Sequence, residues 1–153
     1  MTQISKLTEC FPDSVLLVSR LLLALIFVHE GTTLATHFSG TVKAMAVVGV
    51  GAPLVVGVIA LQLGAGLAIA LGVLARIGAV LLGLFCLMTA TMFHMDFSNQ
   101  NELLHFEKDL AIAGGMFVLA VMGSGRLSLD RFIALPFLHK RGPASAQAAS
   151  ETN

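Results

Sequence analysis

Five polar residues lie within or at the edges of long apolar runs: Arg20, Glu30, Gln62, Lys108 and Asp109. A charge or amide inside a membrane span is costly, so each is a functional candidate whose partner must be named. At the helical rise, Arg20 lies about 9 Å in from one end of the first run and Gln62 about 13 Å in from the opposite side. A guanidinium reaching toward the amide would meet it; the competing reading has Arg20 snorkelling to the headgroups. Glu30 closes the first run and Lys108 opens the last, at similar depth and with opposite sign. An ion pair between them is expected, with neutralisation of Asp109 by Lys108 as the alternative. His94 and His105 map to the same side, with His29, His37, Asp96 and Glu102. Imidazole and carboxylate suit zinc, copper or iron. None of the spacings is a ligand motif, however, so no metal site is expected, and His94 and His105 remain speculative ligand-binding residues. No catalytic constellation is present, and no catalytic residue is assigned.

The elements that must position these residues are four apolar stretches, about 14–31, 53–74, 77–93 and 108–123. Each is near the roughly 20 residues that span a hydrocarbon core. Asp13 or Ser14 is placed to cap the first helix, Pro53 suits a first turn, and Gly123 suits a helix end. A tight turn over Ala75–Ile77 makes the second and third helices an antiparallel hairpin. The fold class expected is an all-α membrane protein, a four-transmembrane-helix bundle. A short segment 1–13 precedes the transmembrane domain 14–125, and a mostly disordered tail, 126–153, follows it.

Lys and Arg gather on one side of this arrangement: Lys6, Arg76, Arg126, Arg131, Lys140 and Arg141, against Lys43 and Lys108 on the other. The positive-inside rule then places both termini in the cytoplasm. A cleaved signal peptide is disfavoured by Arg20 in the first run and by the lack of a small-residue cleavage site. Ala60/Gly64, Ala68/Gly72, Ala79/Gly83 and Ala111/Gly115 are spaced to let helices approach closely, with a homo-oligomer face as the alternative reading.

Composition narrows the functions. The chain is 56% hydrophobic and 12% charged with zero formal net charge, which excludes a soluble surface and removes the basic stripe a nucleic-acid partner needs. Cys10 and Cys86 form no Cys-x-x-Cys motif, so neither a thiol-redox centre nor a disulfide framework is implied. There is no Trp or Tyr, only ten Phe, so electron relay through aromatic side chains is not expected.

The stretch from His105 to Asp130, with Lys108 at the head of the last helix, Gly114-Gly115 within it and then Gly123-Ser-Gly-Arg-Leu-Ser-Leu-Asp130, resembles the closing signature of the DoxX family of small bacterial membrane proteins. Arg20 with Phe27 and Gly31, the segment Thr36–Ser39, and Gly66 to Arg76 fit the same pattern, so the resemblance covers about Val15 to Phe132. It departs where members often carry a Lys, here Leu34, and a Glu, here Gln62. The two missing charges have opposite sign, so their joint loss leaves no orphan charge. An amide cannot titrate, which weakens a proton relay at that position.

The resemblance implies a multi-pass four-helix bundle in the bacterial cytoplasmic (inner) membrane. Some relatives are small subunits of thiosulfate:quinone oxidoreductases, and others accompany redox or stress-response proteins. The expectation is a non-catalytic subunit or anchor of such an assembly, with the lipid bilayer and a redox protein as partners and no cofactor of its own. The alternative is a quinone-binding small subunit, with Arg20, Gln62 or His94 holding a carbonyl. A small-solute carrier ranks third, because no inverted repeat or broken helix is visible.

Overall fold

A computed structural model describes residues 2–130, with side chains from Asp13 onward. Within them the chain forms five helices and no strand: α1 (Thr2–Thr36), α2 (Phe38–Val47), α3 (Ala52–Leu71), α4 (Ala75–Phe93) and α5 (Gln100–Met122). Three of these, α1 over Asp13–Thr36, α3 and α4, are long and apolar enough to cross a membrane. Twenty residues of α3 make about 30 Å at the helical rise, the thickness of a hydrocarbon core.

Several expected boundaries move. Residue 13 lies inside α1 rather than at its start, and its carboxylate bonds elsewhere in the fold. The stretch between the first two apolar runs contains α2. The hairpin turn is Gly72–Leu74, not Ala75–Ile77, so Arg76 belongs to the first turn of α4. α5 starts at Gln100, two turns before the expected Lys108, because Asn99 caps it by accepting the Asn101 amide through its side chain. That brings Glu102, Glu107, Lys108 and Asp109 into its first half, which makes α5 less apolar than those three spans. Pro53 at the start of α3 and Gly123 at the end of α5 stand where expected. The remainder of the expected tail, from 131, lies outside the described residues.

The four long helices pack as antiparallel neighbours, α1 on α3, α3 on α4 and α4 on α5. Gly31 lies against Gln62 and Leu63, Gly66 against Phe27 and Val28, and Gly78 against Ile69. Gly115 brings α5 onto Leu23 of α1. Ala24, Phe27, Ile69, Ala79, Leu82, Cys86, Ala113, Met116 and Leu119 form the core between them.

The small-residue pairs divide by face. Ala79 and Gly83 are buried between α4 and α5, where a Cβ on Gly83 would lie 3.0 Å from Phe117 Cε1 and 3.2 Å from Met116 Cβ. Ala60 and Gly64 instead point outward, and a Cβ on Gly64 would meet nothing within 4 Å. Gly83→Leu is therefore expected to force α4 off α5 and cost about 1–3 kcal/mol in detergent unfolding. Gly64→Ala should change stability by no more than about 0.5 kcal/mol. Equal losses would mean that α4 and α5 do not approach through Gly83.

Candidate functional site

Polar residues concentrate at the two ends of the bundle. At the end holding the start of the α1 span, Gly72 takes a left-handed conformation (φ 74°) just past α3. Its amide donates to the Ile69 carbonyl, and the Val73 amide donates to that of Ala68. This is the Schellman closure that a glycine at this position permits. Leu74 follows with φ 48°, unusual for a residue with a side chain, and its amide donates to Asp130 Oδ2 at 2.9 Å.

The eight residues after α5 fold back over this turn. Arg20, 2% exposed, donates through Nη1 to the Ser124 carbonyl at 2.7 Å and through Nη2 to the Leu127 carbonyl at 2.9 Å. Ser128 Oγ donates to the Gly125 carbonyl. Asp13 accepts the Arg126 amide at 3.1 Å and faces the Arg126 guanidinium at 3.7 Å. The result is a clasp: α1, the α3–α4 turn and the segment Gly123–Asp130 are tied together, mostly through main-chain atoms.

This corrects the expected pairing of Arg20 with Gln62. Gly72 lies against Arg20, while Gln62 lies beside Gly31. Eleven residues of α1 separate those levels, about 16 Å at the helical rise, beyond the reach of a guanidinium. Gln62 is 6% exposed, and neither its Oε1 nor Arg20 Nε has a hydrogen-bond partner among the described residues.

At the opposite end, α4, its following loop and α5 carry a second cluster. His94 Nδ1 lies 2.6 Å from Glu102 Oε2, so the proton facing the carboxylate sits on Nδ1. The His94 and His105 rings stack with centroids 5.2 Å apart. Lys108 Nζ is 3.2 Å from His105 Nδ1, and as an ammonium can only donate there, it requires that nitrogen to be an acceptor. Thr89 Oγ donates to Asp109 Oδ2 at 3.1 Å. Phe97 and Phe106 close the loop edge to face.

Glu30 and Lys108, expected to pair, form no ion pair, and both are exposed. Equal depth does not bring them together: α1 lies chiefly against α3 and touches α5 only slightly. Nor does Lys108 serve Asp109, whose hydrogen bond is to Thr89. His29 is exposed, on the side of α1 away from Arg20. Among the described residues, no group of three His, Cys, Asp or Glu is placed to hold a metal ion.

Sequence reasoning named His94 and His105 but not the Glu102 contact or the ring stacking. The closing Gly-x-Gly-Arg-x-Ser-x-Asp stretch carries no sign in its side chains that its carbonyls surround Arg20. The signal lay in that stretch: glycines at φ 80° and 70° flanking a serine carbonyl mark a loop bent to present main-chain oxygens.

The DoxX family profile matches residues 15–95, α1 through α4, and ends before the closing stretch. Inner membrane protein YqjF of Escherichia coli (strain K12) is 38% identical over 121 residues, 79% of this chain and 93% of the relative. Inner membrane protein YphA of the same organism is 34% identical over 123 residues, 76% of this chain and 88% of the relative. No solved structure matches.

Proposed function

Because the chain belongs to the DoxX family of integral inner-membrane proteins, we propose that it serves as a non-catalytic subunit or anchor of a membrane redox or stress-response assembly. The observation that carries this reading is the use made of the buried charge. Arg20 spends both terminal nitrogens on carbonyls of its own chain, a bond pattern that ties helices together and leaves little for a substrate. The groups at the other end are likewise engaged with one another: His94 with Glu102, Lys108 with His105, Asp109 with Thr89. What the bundle offers outward is apolar helix surface, including Leu54, Val56, Leu67 and Leu71 on α3, suited to lipid and to a membrane partner.

The same reading has α5 as a fourth span and both termini in the cytoplasm. It is supported by the Lys and Arg asymmetry and by the contact of Asp13 with Arg126, which sets the two ends of the helical region side by side. In intact cells, a membrane-impermeant thiol reagent is expected to label Ser98→Cys and to miss Cys10. Labelling of Cys10 without permeabilisation would reverse the orientation.

A second reading, a quinone-binding subunit, is favoured by the buried Gln62 Oε1, unpartnered among the described residues and able to accept a hydrogen bond from a quinol hydroxyl. Purification in mild detergent separates the two. A stoichiometric, cofactor-bearing protein partner is the result expected; a chain that elutes alone with bound quinone, and loses it on Gln62→Leu, would overturn the first reading in favour of the second.

A further inference from the structure

The clasp leaves an open polar dish of about 440 Å³ at its outer surface, lined by Asp13, Arg76, Gly123, Ser124, Arg126 and Asp130 among others. Its volume lies within the range of small-ligand sites. We propose that this dish binds a phosphate group, with the Arg76 guanidinium as its principal ligand.

Charge points to an anion. Among the described residues, three guanidiniums, Arg20, Arg76 and Arg126, and two carboxylates, Asp13 and Asp130, lie in and beneath the dish. Both carboxylates are already committed: Asp13 to the amide and guanidinium of Arg126, Asp130 to the Leu74 amide. Neither is available to Arg76, which is exposed and has no hydrogen bond or ion pair among the described residues. Its guanidinium lies across Gly123, where a Cβ would come within 2.9 Å of Nε and 3.2 Å of Nη2, so the glycine leaves room for the side chain over the dish. A planar fork with no acceptor among the described residues is suited to two oxygens of a phosphate.

Position selects phosphate among anions. The dish sits where α3 ends at Leu71, α4 begins at Ala75 and α5 ends at Met122. Helices that span the hydrocarbon core leave it at that level and enter the layer of headgroup phosphates. The group could arrive on an anionic phospholipid or as free phosphate, and the oxyanion chemistry is the same.

The test titrates the full chain in neutral detergent with phosphatidylglycerol, read by native mass spectrometry, and separately with inorganic phosphate, read by thermal unfolding. One phosphatidylglycerol per chain is expected, bound about tenfold more weakly by Arg76→Gln and within about threefold of wild type by Arg76→Lys, which keeps the charge but not the fork. Lys43→Gln, on α2 at the opposite end, should bind as wild type does. Phosphatidylglycerol binding with inert inorganic phosphate assigns the site to a lipid headgroup. Protection by inorganic phosphate that Arg76→Gln abolishes, without lipid binding, assigns it to the free ion. Affinities for both that are the same in wild type, Arg76→Gln and Arg76→Lys, or no binding of either, would overturn the proposal. Because Arg76 is exposed, unliganded melting of the three proteins should agree, which separates lost binding from lost folding.

Discussion

Replacing Arg20 with methionine should lower the unfolding free energy in detergent by about 3 kcal/mol. Two hydrogen bonds from a charged donor are worth about 1.5–3 kcal/mol each, and desolvation of the guanidinium offsets part of that sum. Methionine restores most of the volume but leaves the Ser124 and Leu127 carbonyls without their donor. Arg20→Lys should recover at most half of the loss, because one ammonium cannot reach two carbonyls that a fork bridges at 2.7 and 2.9 Å. Chemical unfolding of the three proteins measures both differences. A loss under about 1 kcal/mol for Arg20→Met would mean that water replaces the guanidinium cheaply and that the clasp is not what holds the segment after α5.

Gly72→Ala is expected to be at least as damaging, on the order of 3–5 kcal/mol. The left-handed conformation at φ 74° costs a residue with a Cβ about 1–2 kcal/mol. The larger part is steric: the new carbon would lie 2.7 Å from Arg20 Nη1 and 2.7 Å from Ser128 Cβ. Neither neighbour can yield without breaking the bonds that position it. The two substitutions must therefore couple. Combined with Arg20→Met, Gly72→Ala should cost about 1–2 kcal/mol less than it does alone, an interaction of the size that residues in contact show. Strict additivity in the double-mutant cycle would separate Gly72 from Arg20 and leave the glycine with a purely conformational role.

The sequence by itself determined the properties set by local transfer free energy and by backbone restrictions. The apolar runs that became α1, α3 and α4 are long because each must cover a hydrocarbon core, and their lengths can be counted without knowing any neighbour. Pro53 and Gly123 mark helix ends for reasons internal to the residue, a missing amide donor in one case and an accessible positive φ in the other. The closing Gly-x-Gly-Arg-x-Ser-x-Asp stretch, with Arg20, also carried the resemblance to the DoxX family to which the chain belongs.

Only the tertiary structure decided partnership. Arg20 meets carbonyls 104 and 107 residues away in the chain, while Gln62, placed within reach by depth alone, lies at another level of α1. Depth along a helix is one coordinate; contact also requires the rotation of each helix and the order in which the helices sit, and α1 lies chiefly against α3. Glu30 and Lys108 share a depth and still face different surroundings for that reason. The clasp escaped sequence reasoning on a further count, since its acceptors are main-chain oxygens that every residue possesses. No side-chain type announces a carbonyl, so the fold alone could show that the buried guanidinium closes the bundle.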